Sequence, residues 1–268
     1  MSPTAEEWLA IGRAVAAEAL ESDLPFVASG LAYYSLMAVT PALVAGFLLL
    51  GELGGQALAE RVVATTADVL SPDGQRFIRE SMAQMSARSG VSVIALALSL
   101  WGARRLYRGL DQGVRKIYEV DGHSVEGVRD AARVLVLGGL GTTGIVGVAV
   151  AASLYADGGL LRLVAVPFTF VIALAVTYPI LNGMAPGLGR VESLPGSLFT
   201  AVTWTVGAGV VGLIASGQVR QGALYGVLGG LLLLLTWFYA ANLLLLLGFV
   251  VDAVCSRRAV IRSAGEAE

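Results

Sequence analysis

Six stretches of this chain carry no charged side chain at all: 24–51, 89–103, 134–156, 163–189, 193–219 and 221–251. A span needs roughly 20 apolar residues to cross about 30 Å of hydrocarbon. Five stretches meet that length outright. The second has 15 residues, about 22 Å as a helix. It still crosses if Arg88 and Arg104 snorkel to the two interfaces. The whole chain is 56% hydrophobic and 14% charged, where a soluble domain carries about 25% charge. The expected fold is therefore all-α: a polytopic membrane protein of six transmembrane helices plus amphipathic interfacial helices. One membrane domain covers 1–268. Its spans fall at about 27–50, 89–107, 134–156, 163–183, 196–217 and 224–251, and residues 52–88 form an extracytoplasmic helical connection.

The junction after the second span fixes the membrane boundary. It reads WGARRLYRGLDQGVRKIY over 101–118. Arg104, Arg108, Asp111 and Arg115 share one helical stripe, and Leu106, Leu110 and Ile117 another, so this is an interfacial helix with its apolar side toward lipid or bundle. Arg104, Arg108 and Arg115 are candidate contacts for lipid phosphates, because a guanidinium fork matches phosphate oxygens. Anchoring by positive charge without specific binding is the plainer alternative. Orientation follows the basic residues. The termini and the second and fourth connections hold 12 of them and the other three connections hold 6. Both termini are expected in the cytoplasm, with the chain in the plasma membrane. The expected partners are membrane lipids, anionic phospholipids among them.

Thr4 and Glu7 have capping-box spacing, and Trp8, Ile11 and Val15 then share one face. A surface helix is expected until Pro25. In the first span, Pro41 frees a backbone carbonyl. Tyr33 and Tyr34 either sit in an aromatic belt or line a polar interior. In 52–88, Ser71-Pro72 is a good helix start. Two amphipathic helices are expected there, capping the bundle. Gly138, Gly141, Gly144 and Gly147 suit close helix packing in the third span. Gly222, Gly226 and Gly230 form two overlapping G-x-x-x-G motifs in the sixth, for packing or a homo-oligomer. Asn242 lies deep in that span. Its amide faces protein or water, as an interhelical bond or as part of a substrate path.

The chemistry classes narrow quickly. The single cysteine, Cys255, excludes an intramolecular disulfide or a cysteine metal cluster. Gly139-Leu-Gly-Thr-Thr-Gly144 matches G-x-G-x-x-G, but a dinucleotide site needs an acid about 20 residues on. Asp157 comes too early and Glu192 too late. The one histidine, His123, reads as a solvated loop residue. A metal-dependent nuclease needs several converging ligands, and hydrolysis needs a nucleophile with its base. Neither set is present, so no cofactor, nucleic-acid partner or enzyme activity is expected.

Four segments carry a resemblance across nearly the whole chain. They are Leu31-Ala-Tyr-Tyr-Ser-Leu with Pro41, Leu100-Trp-Gly-Ala-Arg-Arg-Leu-Tyr-Arg108, Leu194-Pro-Gly196, and Tyr225-Gly-Val-Leu-Gly with Trp237-Phe-Tyr239. Together they resemble the YihY/BrkB family of polytopic membrane proteins, some of which carry the label ribonuclease BN. The resemblance implies six plasma-membrane spans, no settled biochemical activity, and a role in transport or envelope lipid traffic. Relatives tend to close the last span with Gly-Ala-Glu. Here Gly248-Phe-Val-Val-Asp252 stands instead, with Asp252 the only acid nearby. The function expected is a transporter or envelope-lipid-handling protein, and the alternative is a non-transporting membrane scaffold.

Overall fold

The computed structural model describes residues 5–39, 41, 89–120, 160–185, 189, 191–220 and 226–265. Among them the regular structure is helical, with no strand. We number the helices α1 (Ala5–Glu21), α2 (Leu24–Val39), α3 (Ser89–Tyr118), α4 (Leu160–Met184), α5 (Leu194–Arg220) and α6 (Gly226–Gly265). Three windows are long and apolar enough to cross a membrane: Val166–Met184, Leu194–Val211 and Leu231–Arg258, with the shorter apolar α2 beside them. The expected third span, the connection 52–88, Thr4, Gly222 and His123 lie outside the described residues.

The surface helix ends at Glu21, four residues short of Pro25. Asp23 takes a left-handed φ of 50°, which a short polar side chain tolerates. Its carbonyl accepts from the Phe26 and Val27 amides, starting α2. Pro25 thus falls in the first helical turn, where its missing N–H costs nothing. The α3 helix runs unbroken from the apolar stretch into the basic one. It ends in a Schellman motif, with Glu119 left-handed at φ 52° and the Val120 amide donating to Arg115 O at 3.2 Å. Arg257 of α6 donates to the last-turn carbonyl of Ile117 at 3.2 Å, where a cation also suits the helix dipole.

α5 shows what solvent this fold was built for. Its buried side is made of small residues, several of them hydroxylic: Gly196, Ser197, Thr200, Ala201, Thr205 and Ala208, with Ser193 just before the first turn. Its exposed stripe is large and aliphatic, with Leu198, Val202, Val206 and Val210 four residues apart. In water that arrangement would be inside out. In lipid it is favourable, because small residues let backbones approach and hydrocarbon solvates the outer stripe. The inward hydroxyls are satisfied within α5: Thr200 donates to Gly196 O at 2.8 Å and Thr205 to Ala201 O at 2.7 Å.

α5 packs between α4 and α6, while α1 and α3 pack on α6. The core of large apolar groups sits at one end of the bundle. It joins Leu24 and Leu31 of α2, Val114 and Ile117 of α3, Leu181 of α4, and Leu246, Phe249 and Val250 of α6. The apolar stripe of α3 therefore faces the bundle. A belt of ion pairs rings this end: Lys116–Asp23 at 3.1 Å, Arg257–Glu18 at 3.3 Å and Arg257–Glu119 at 3.7 Å. Apolar core and ion-pair belt together mark the end that meets water, where burial is driven as in a soluble domain.

Candidate functional site

Two places on the described chain concentrate polar groups. The first is on α3. Trp101, Arg105 and Arg108 lie at i, i+4 and i+7, one helical face, with Arg104 beside them. These four side chains line a hollow of about 220 Å³. The Arg105 guanidinium lies 5.5 Å from the centre of the Trp101 ring, a cation–π contact that holds the charge in place. Trp101 also meets Tyr34 of α2 edge-on at 6.5 Å, and Tyr34 meets Tyr33 at 5.5 Å. α2 and α3 can come this close because a Cβ at Gly102 would lie only 2.7 Å from Ala38 N. Glycine alone fits that contact.

The charges of α3 divide into two groups. In its last turns the basic residues are matched by acids: Arg115 Nε donates to Asp111 Oδ2 at 2.9 Å, and Lys116 reaches Asp23. Asp111 raises the Arg115 pKa, through its hydrogen bond first and its charge second. At the hollow, Arg104 and Arg105 make no ion pair among the described residues. Of the three arginines singled out in the sequence, Arg104 and Arg108 line the hollow, and Arg115 lies a full turn and more beyond it, engaged with Asp111. A stripe through Arg104, Arg108 and Arg115 passes Arg105 by. The Trp101–Arg105–Arg108 spacing was the signal for it.

The second place is the crossing of α5 and α6. Asp252 is fully buried. It accepts from the Gly196 amide at 2.6 Å with Oδ1, capping the first turn of a helix from another helix. Gly196 N–H is one of the donors that a helix N-terminus leaves unpaired, so carboxylate and dipole fit. A Cβ at Gly196 would overlap Gly248 O and lie 2.7 Å from Asp252 Oδ2, and one at Gly248 would overlap Thr200 Oγ1. The backbones therefore touch through paired glycines. Asp252 Oδ2 has no hydrogen-bond partner among the described residues. Nearby, the Tyr118 hydroxyl donates to Phe249 O at 3.3 Å, and burial pushes its pKa upward.

The candidate polar interior separates in the structure. Tyr34 belongs to the aromatic row leading to Trp101. The Asn242 amide donates to Ser35 Oγ at 3.0 Å and to Phe238 O at 2.8 Å, and the residue is 9% exposed. It tethers α6 to α2. Gly226 and Gly230 are helical in α6, but their surroundings lie outside the described residues. Also among the described residues, no three His, Cys, Asp or Glu side chains gather closely enough to hold a metal ion.

The family model described as Virulence factor BrkB matches residues 15–268. The chain belongs to the BrkB family. A curated protein similar to part of this BrkB-family chain is the putative ribonuclease-like protein YfkH of Bacillus subtilis (strain 168). It is 29% identical over 65 residues, which is 24% of each chain. The BrkB chain thus spans about a quarter of the length of the curated relative it matches. No solved structure matches it.

Proposed function

We propose that this BrkB-family chain handles phospholipids at the cytoplasmic headgroup layer of the plasma membrane, spanning it six times with both termini inside. The observation that carries the reading is the hollow on α3, with two arginines that meet no acid among the described residues and lie beside an exposed indole. Anionic headgroups are what such a surface meets at that depth. A solute path beside Asn242 has less support, because its amide nitrogen is spent on Ser35 and Phe238. That closed packing is also what favours the second reading, a non-transporting scaffold. The ribonuclease-like name of YfkH suggests a third. A nuclease would need acids or imidazoles converging on the scissile phosphate, and the described residues gather no such set.

Vesicles reconstituted with the purified protein and a fluorescent phospholipid test the proposal. Bleaching the outer leaflet should reveal lipid exchange faster than in protein-free vesicles, and Arg104→Gln/Arg105→Gln should slow it. Exchange no faster than in empty vesicles, with folded protein present, leaves the scaffold reading.

A further inference from the structure

We infer that the α3 hollow is a site for the terminal phosphomonoester of a membrane lipid. This rests on the lipid-handling reading and adds to it the charge class of the headgroup.

Three observations carry the inference. The first is a gradient along one face. Ile94, Leu98, Trp101, Arg105 and Arg108 follow one another at intervals of four, three, four and three residues, so they form a single stripe on α3. Ile94 and Leu98 are exposed at 63% and 50%. The stripe runs from aliphatic through aromatic to basic. A phospholipid has that order along its own length, from acyl chain through glycerol to phosphate. A soluble anion would have no use for the aliphatic part.

The second is charge. Arg104 and Arg105 meet no carboxylate among the described residues, whereas Arg115, Lys116 and Arg257 each do. Two adjacent guanidiniums at a low-dielectric boundary call for about two negative charges. A phosphomonoester carries about −1.5 to −2 near pH 7, whereas a phosphodiester carries only one. Arginine is also the residue whose planar fork binds phosphate oxygens in pairs.

The third is size. At about 220 Å³ the hollow is below the usual range for sites that enclose a whole small molecule, about 300–1,000 Å³. A phosphate group fits there while the rest of the lipid stays in the bilayer. The stacking of Arg105 on Trp101 fixes one guanidinium before the ligand arrives, so less ordering is required on binding.

The test is native mass spectrometry of the delipidated full chain with equal amounts of phosphatidic acid and phosphatidylglycerol bearing identical acyl chains. The expected result is a preference of about fivefold for phosphatidic acid, the factor that about 1 kcal/mol per additional charge contact would give. The preference should disappear in Arg104→Gln/Arg105→Gln and persist in Arg13→Gln, which removes a cation from α1. Arg104→Lys/Arg105→Lys should keep binding but lose part of the preference. Equal retention of both lipids by the wild type, which needs no variant, overturns the phosphomonoester assignment. If that equal retention still depends on Arg104 and Arg105, the lipid-handling reading survives it. Selective binding without lipid exchange in vesicles has the reverse meaning: the site stands and the handling reading falls. Displacement of phosphatidic acid by equimolar glycerol 3-phosphate would overturn the membrane lipid as the ligand.

Discussion

At the scale of single residues, Asp252 is the side chain whose surroundings say most. It lies wholly buried at the α5–α6 crossing, one carboxylate oxygen on the Gly196 amide and the other without a partner among the described residues. Its replacement should therefore depend on shape and on the acceptor, not on size alone. Asp252→Asn keeps an oxygen toward Gly196 and is expected to change stability by less than about 1 kcal/mol. Asp252→Leu leaves the Gly196 amide buried and unpaired, at a cost of about 1–3 kcal/mol. Thermal unfolding in detergent should rank wild type and Asn together, with Leu well below. If Leu is as stable as wild type, the cap is not what holds this crossing. The sequence marked Asp252 only as a lone acid at the end of an apolar span. Its partner, Gly196, is 56 residues away, and no local periodicity connects the two.

Between helices, the decisive feature among the described residues is how glycines set the spacing. Gly102 meets the Ala38 backbone, Gly196 meets Gly248, and Gly207 would place a Cβ 2.9 Å from the Trp237 ring. Gly183 has nothing within 4 Å and lies on the exposed side of α4. Gly102→Leu should force α2 from α3, break the Tyr34–Trp101 contact and lower the melting temperature sharply. Gly183→Leu should be neutral or slightly stabilising, since glycine costs a helix about 1 kcal/mol relative to good formers. Circular-dichroism melts of the two variants side by side decide this. Similar melting temperatures would mean that α2 and α3 are not held at backbone contact. The helices α2, α4, α5 and most of α6 were legible from charge-free length, and the apolar stripe of α3 from its period. Which glycines touch depended on which helices became neighbours.

For the molecule as a whole, topology is the property that organises the rest. The arginine hollow, the ion-pair belt and Cys255 should all face the cytoplasm if the termini are inside. Cys255 is half-buried, and it lies near the belt formed by Arg257, Glu18 and Glu119. A membrane-impermeant maleimide should modify it in inverted membrane vesicles and leave it untouched in intact cells. Labelling of intact cells would reverse the orientation and move the hollow to the outer leaflet. By itself the sequence determined the class of protein, all helical and built for lipid, because the bilayer acts on every residue of a span through hydrophobicity and length alone. It also determined the basic face of α3 and the family resemblance, both of which are local patterns. The Arg115–Asp111 pair, four residues apart on one helix, is a local pattern as well. Only the tertiary structure decided that Lys116 meets Asp23 and that Arg257 meets Glu18 and Glu119. It also decided that Tyr34 belongs to Trp101 and Asn242 to Ser35, and that Asp252 caps α5. Those outcomes turn on which partner arrives within about 3 Å of a polar group. Packing between helices distant in sequence fixes that distance, and hydropathy along the chain does not encode it.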